Sequence, residues 1–181
     1  MESEKVKTFN LGLSSKKGKE TFFTNQLSAT NSLLPFCKGV KNKWGGLEGL
    51  TTIDSIQCEF ITLDEFIEEN QIYIIDFLKI DVQGAEFKVL EGAKNTLNKK
   101  KIAVIQMELI IEETYVGQKS SNYYFELFES YGYIPYIVCD FGATKTELLQ
   151  MDVFFILAPH LINKFLLKKK RNLKNFKDCF K

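Results

Sequence analysis

The residues that most constrain the fold run from 75 to 93, IDFLKIDVQGAEFKVLEGA. Ile75, Phe77, Leu78, Ile80 and Val82 form a near-continuous apolar run, the pattern of a central parallel strand covered on both faces. Gly84 supplies a turn, and Glu86 falls in the first turn of a helix, where a carboxylate suits the positive end of the dipole. Val89, Leu90, Ala93 and Leu97 then make an apolar stripe. A second apolar run, IAVIQMEL over 102–109, follows at once. Strand, helix and strand within about 30 residues define a βαβ unit with a right-handed crossover. This spacing puts Asp81 and Glu108 at the carboxyl ends of two adjacent strands, looking into one cleft, where ligands of open α/β sheets bind. The same spacing also allows a plainer reading, with Asp81 capping the next helix and Glu108 paired to a lysine.

The string FLKIDVQGAEFKVLEGA resembles the signature of the FkbM-type methyltransferases. These class I enzymes use S-adenosylmethionine and mostly methylate hydroxyl oxygens. Six further pieces fall in the family's order at similar spacing: GLSSKKGKETFFT, NSLL, ITLDEFIEEN, QMEL, YFELFESYGY and DVFFIL. Together they span most of residues 6–157. The resemblance implies a Rossmann-like sheet, mostly parallel with an antiparallel last strand, in a domain over 1–160 followed by a basic tail over 161–181. It implies catalytic roles for Asp81 and Glu108, and cofactor contacts from Asp81, Val82, Gln83, Gly84 and Glu86. The acceptor it implies is a small-molecule or glycan hydroxyl. One departure stands out: the family opens on a strand ending in a glycine turn of the Asp-Ile-Gly-Ala-Asn kind, followed by an acidic residue for the ribose. MESEKVKTFNLGLS resembles instead the family's third strand. About two βα units are therefore expected upstream, and the sequence reads as a fragment or a shortened relative.

Two rival functions follow from the remaining sequence. A non-catalytic module needing a partner chain is the first, because loss of upstream strands would bare the edge of an interior strand and favour self-association. A nicotinamide-dependent oxidoreductase is the second, and the absence of any Gly-x-Gly-x-x-Gly after a strand argues against it. Composition bounds the rest. With 181 residues, 45% hydrophobic and 13% aromatic, the chain can bury one core. A formal charge of +1 gives no general pull toward nucleic acid, although 164–181 carries eight Lys or Arg against Asp178 alone. Cys37, Cys58, Cys139 and Cys179 are widely spread, so free thiols in the cytoplasm are expected and neither a zinc site nor a disulfide framework is. No signal peptide or membrane-spanning helix is expected.

Along the chain, Val6 to Leu13 and Glu20 to Thr24 read as two strands joined by a short loop. Residues 26–50, with Pro35, four glycines and Trp44, read as a long irregular loop, either an acceptor-binding lid or a surface insertion. Strand 53–61 leads into a helix capped by Thr62 and Glu65, S/T-x-x-E in type. The polar connection 110–121 offers Glu112, Glu113 and Tyr115 as acceptor contacts or as a solvated loop. Asn122 is expected to cap a helix ended by Gly132. His160, the one histidine, reads as structural or exposed rather than as a base.

Overall fold

The computed structural model describes residues 6–159 together with Ile162, Asn163 and Leu166. Apart from those three residues, the basic tail over 161–181 lies outside the described residues, as does His160. The chain forms two sheets rather than one. In the first, β1 (Gly12–Leu13) pairs parallel with β3 (Thr52–Ile61), and β2 (Gly18–Asn25) pairs antiparallel with β3 on its other side. The first two strands thus never pair with each other. Between β2 and β3 lies a short helix α1 (Val40–Lys43), and β3 runs straight into α2 (Leu63–Glu69). Thr62 caps α2 as the sequence pattern requires: its hydroxyl accepts from the Glu65 backbone, while the Glu65 carboxylate accepts from the Thr62 backbone at 3.2 Å.

The second sheet has the order β4-β5-β7-β6, built from β4 (Ile75–Ile80), β5 (Ile102–Ile110), β6 (Tyr133–Ala143) and β7 (Leu148–Leu157). β4 and β5 are parallel, as the βαβ pattern demands, and β7 is antiparallel to both β5 and β6. In this sheet β4, β5 and β6 thus run the same way and the last strand, β7, runs against them; what is corrected is the expectation of one sheet, since β2 and β3 pair antiparallel in a separate one. Only four residues separate β6 from β7, too few for a crossover, so the two must run antiparallel as a hairpin. A second correction concerns β4, which is an edge strand and not a central one. Its inward residue Ile80 is buried, but Phe77 on the other face is 50% exposed.

One face of this sheet carries the core. Ile105, Met107 and Leu109 of β5 and Val153, Phe155 and Leu157 of β7 pack under α3 (Glu86–Glu91), α4 (Lys94–Asn98) and α5 (Ser121–Ser130). Val89, Leu90, Ala93 and Leu97 are all buried, so the apolar stripe was legible. The helix that carries them is nevertheless broken in two. A Cβ on Gly92 would stand 2.2 Å from the Ser14 carbonyl oxygen, so the chain passes this point without a side chain. Asp64 of α2 then caps α4, accepting from the Asn95 and Thr96 backbone at 2.9 and 2.8 Å. Helix α5 starts earlier than expected: Ser120, not Asn122, is its N-cap, and Gly132 ends it at φ 78°.

Candidate functional site

β4 and β5 run side by side in register Ile80↔Met107, which sets Asp81, just past β4, abreast of Glu108. The two carboxylates that sequence spacing placed together do meet at one end of the sheet. The residue that joins them is Gln83. Its Nε2 donates to Asp81 Oδ1 at 2.9 Å and to Glu108 Oε2 at 2.7 Å. The remaining carboxylate oxygens are also engaged. Lys79 Nζ lies 3.0 Å from Asp81 Oδ2, and Gln150 Nε2 donates to Glu108 Oε1 at 2.8 Å. Burial, and after it the charge of Asp81, raises the pKa of Glu108 above the ordinary carboxylate value, with the Gln83 hydrogen bond opposing them.

The two acids differ in what they face. Asp81 and Val82 border a cleft of about 670 Å³ whose other walls include Phe9, Asn10, Asn31, Gln57 and Phe60. That size is within the usual range for small-molecule sites. Glu108 does not border it, and stands behind Asp81 on the sheet, opposite Asp152 of β7. A separate hollow of about 340 Å³ between α2 and α4 contains none of these residues.

The turn after β4 is built for closeness. Gln83 takes φ 55° and Gly84 φ 87°, and a Cβ on Gly84 would lie 2.7 Å from the Tyr115 ring. Glu86, 2% exposed, folds its carboxylate back onto the same turn, with Oε1 accepting from Gly84 N at 3.0 Å and Val82 N at 3.3 Å. The polar groups of Val82, Gly84 and Glu86 named among the cofactor contacts are therefore turned on one another. Their geometry shapes the turn, and Asp81 and Val82 are what border the cleft.

Burial pushes the Glu86 carboxyl up to about 7, against the backbone N–H groups of Glu86, Gly84 and Val82 that hold it down. The folded protein therefore binds this proton more tightly than the unfolded chain, whose carboxyl titrates at its ordinary 4.5. Glu86 accordingly contributes stability below the lower value, and that contribution is lost as pH rises through the window to about 7. The distance between the two values corresponds to about 3 kcal/mol. Urea midpoints measured from about pH 5 to about pH 8 are expected to fall for the wild type and to fall less for Glu86→Gln, which keeps the oxygen acceptor. Equal slopes for the two proteins would remove Glu86 as the source.

The loop over 26–50 is not a loose surface insertion: Asn31 and Leu33 border the cleft, and the segment packs inward. Leu34 packs with Ala85, Ile110 and Tyr115 in a second small core, joined by Phe36 and Trp44. Phe36 stacks on Tyr115 with ring centroids 5.2 Å apart, and Trp44 Nε1 donates to Thr114 Oγ1 at 2.7 Å. Glu112 and Glu113, read as acceptor contacts or as part of a solvated loop, both pair with Lys43, at 3.3 and 2.9 Å. Tyr115 is fully buried, and its hydroxyl lies 3.0 Å from the Thr30 carbonyl oxygen and 3.2 Å from Gln83 Oε1. Sequence reasoning left Tyr115 either at an acceptor or in a solvated loop, neither of which foresaw its burial, and missed Ser32, whose Oγ donates to the Gln83 carbonyl at 2.7 Å. The available signal was a lone large aromatic in a polar loop just past a strand end, which burial explains better than solvent contact.

A mixed α/β domain that brings two acids to the ends of adjacent parallel strands, beside a cleft, is a frame suited to group transfer. The chain matches the methyltransferase FkbM domain over residues 1–135, and it belongs to that family. It is a methyltransferase by family resemblance. No curated protein and no solved structure matches it.

Proposed function

We propose that this chain serves S-adenosylmethionine-dependent methyl transfer to a hydroxyl oxygen of a sugar, glycan or secondary metabolite, in the cleft beside Asp81. The observation that carries the reading is the convergence of Asp81 and Glu108 on one amide, in a family of methyltransferases. The cleft suits the cofactor in its chemistry: a carboxylate for a sulfonium cation, the Asn10 and Gln57 amides for polar groups, and the Phe9 and Phe60 rings for a flat base. When bound, the cofactor supplies an activated methyl group. The chain's own residues orient the acceptor and take its proton. Asp81 faces the cleft and is the group for that task; Glu108 stands behind it and shares the Gln83 amide with it. Among the described residues, Cys37, Cys58 and Cys139 are free thiols, which suits a cytoplasmic protein, and no helix is long and apolar enough to cross a membrane.

Transfer of labelled methyl from S-adenosylmethionine to a panel of sugars and polyketide alcohols tests this reading. Label in a hydroxyl acceptor supports it, and label on none of them with a folded protein counts against it. A second reading, a non-catalytic module completed by another chain or a second copy, draws on the outer edge of β4, which pairs with no further strand among the described residues, and on the exposed Phe77 beside it. It predicts a mass above that of one chain in light scattering.

A further inference from the structure

Gln83, the residue after the two that border the cleft, has an unusual set of partners. A primary amide offers two N–H donors and one carbonyl oxygen. Here the Nε2 group serves Asp81 and Glu108 together, and the Oε1 atom lies 3.2 Å from the Tyr115 hydroxyl. The single Tyr115 proton is shared between that oxygen and the nearer Thr30 carbonyl at 3.0 Å, so the two carboxylates, which only accept, fix which end of the amide faces them, and Tyr115 adds to the hold from behind. The backbone is pinned as well. Gln83 sits at φ 55°, a left-handed conformation that residues with a Cβ adopt seldom, and the Ser32 hydroxyl holds its carbonyl from across the turn.

Two neighbouring carboxylates repel each other. Placed side by side without a donor between them, one of the pair would be driven to take up a proton. The amide interposed here supplies one N–H to each, which keeps both oxygens in place and both charges compatible. Phe36, Leu34 and Ala85 pack around Tyr115, so the residue behind the amide is as fixed as any in the core.

We propose that Gln83 is a positioning residue that sets the relative placement of the Asp81 and Glu108 carboxylates, and that Tyr115 and Ser32 hold it in the one orientation that does so. It follows that Tyr115 acts through Gln83 and not on the acceptor, and that the Gln83 amide is already satisfied by protein groups. The importance of this clamp for methyl transfer rests on the function proposed above. The clamp itself is read without cofactor or acceptor.

The test is a carboxyl-carbon NMR titration of the full 181-residue chain, with the Glu108 signal assigned by its loss in Glu108→Gln. The charged and titratable groups around Glu108 are Asp81 after β4, Lys79 on β4, Asp152 on β7, Glu86 on α3 and the Tyr115 hydroxyl; all are unchanged in Gln83→Met, and Tyr115→Phe removes only the last. Gln83→Met removes the amide and keeps the length of the side chain. It is expected to raise the apparent Glu108 pKa by about one unit, the size of one lost charge-assisted hydrogen bond. Tyr115→Phe removes one oxygen from a ring that stays packed, and a smaller rise in the same direction is expected. Glu65, in its capping box on α2, serves as the internal control and keeps its titration. A merely structural role for Gln83 would lower the melting temperature and leave the Glu108 curve in place. An unchanged Glu108 curve in a folded Gln83→Met overturns the proposal. If Gln83→Met does not fold, Gln83→Ala, which also lacks the amide, decides the matter by the same criterion.

Discussion

Gly84→Ala will lower the stability of this domain by about 3 kcal/mol. Two causes add. The residue sits at φ 87°, where a Cβ meets its own backbone at a cost of about 1–2 kcal/mol. That Cβ would also stand 2.7 Å from Tyr115 Cδ2, and overpacking a filled site costs about 1–3 kcal/mol. Neither the ring nor the turn has room to yield, because Phe36 lies against Tyr115 on one side and Glu86 grips the Gly84 N–H on the other. For a chain of this size the melting temperature should fall by roughly 10 °C. Gly46→Ala separates the two causes, since Gly46 has φ 83° but nothing lies within 4 Å of where its Cβ would stand. It should cost only the backbone part. Equal losses for the two variants would show that the turn is not seated on Tyr115.

Asp81→Asn is expected to reduce methyl transfer by about 10²- to 10⁴-fold, the usual weight of one positioned proton acceptor. The amide keeps the shape of the carboxylate and loses the charge and the basicity. Stability should hardly change. The ion pair with Lys79, at 3.0 Å between side chains 52% and 37% exposed, is a surface pair worth little. Removing the Asp81 charge also relieves one of the repulsions felt by Glu108. The check is the initial rate of methyl incorporation at saturating acceptor, with melting temperatures alongside. Full activity in a folded Asp81→Asn would take Asp81 out of the chemistry and leave Glu108 as the remaining acid.

How much of this was written in the sequence differs from element to element, for physical reasons. The βαβ unit was legible because two signals agree there: continuous apolar runs for β4 and β5, and a stripe of Val89, Leu90, Ala93 and Leu97 at helical spacing. The α2 cap was legible because its two partners are three residues apart and need no tertiary contact. Edge or centre was not legible for β4, since an apolar run states what a strand can bury and not which neighbours it has. The break at Gly92 was hidden for a similar reason. It depends on the Ser14 backbone, 78 positions away in the sequence.

The site was half legible. Asp81 and Glu108 were found because a parallel register carries sequence spacing directly into space. Gln83, grouped with the cofactor contacts, stands between the acids. Tyr115 reads as an acceptor contact or a solvated loop residue because polar neighbours disguise it, and its burial comes from Leu34, Phe36 and Trp44 in a loop that shows no periodicity at all. Loops of that kind fold through single long-range contacts, which leave no local pattern to read.

A thermal unfolding scan of this chain with and without excess S-adenosylmethionine tests the proposed function most directly. Ligand at about 100 times its dissociation constant adds about 2.7 kcal/mol to the native state, and at this chain length that raises the melting temperature by roughly 5–10 °C. Methyl transfer in the cleft beside Asp81 predicts that rise, reduced in Asp81→Asn. A sharp, cooperative transition at the same temperature with and without the cofactor would contradict it, and would leave a folded member of the family that does not bind the methyl donor by itself.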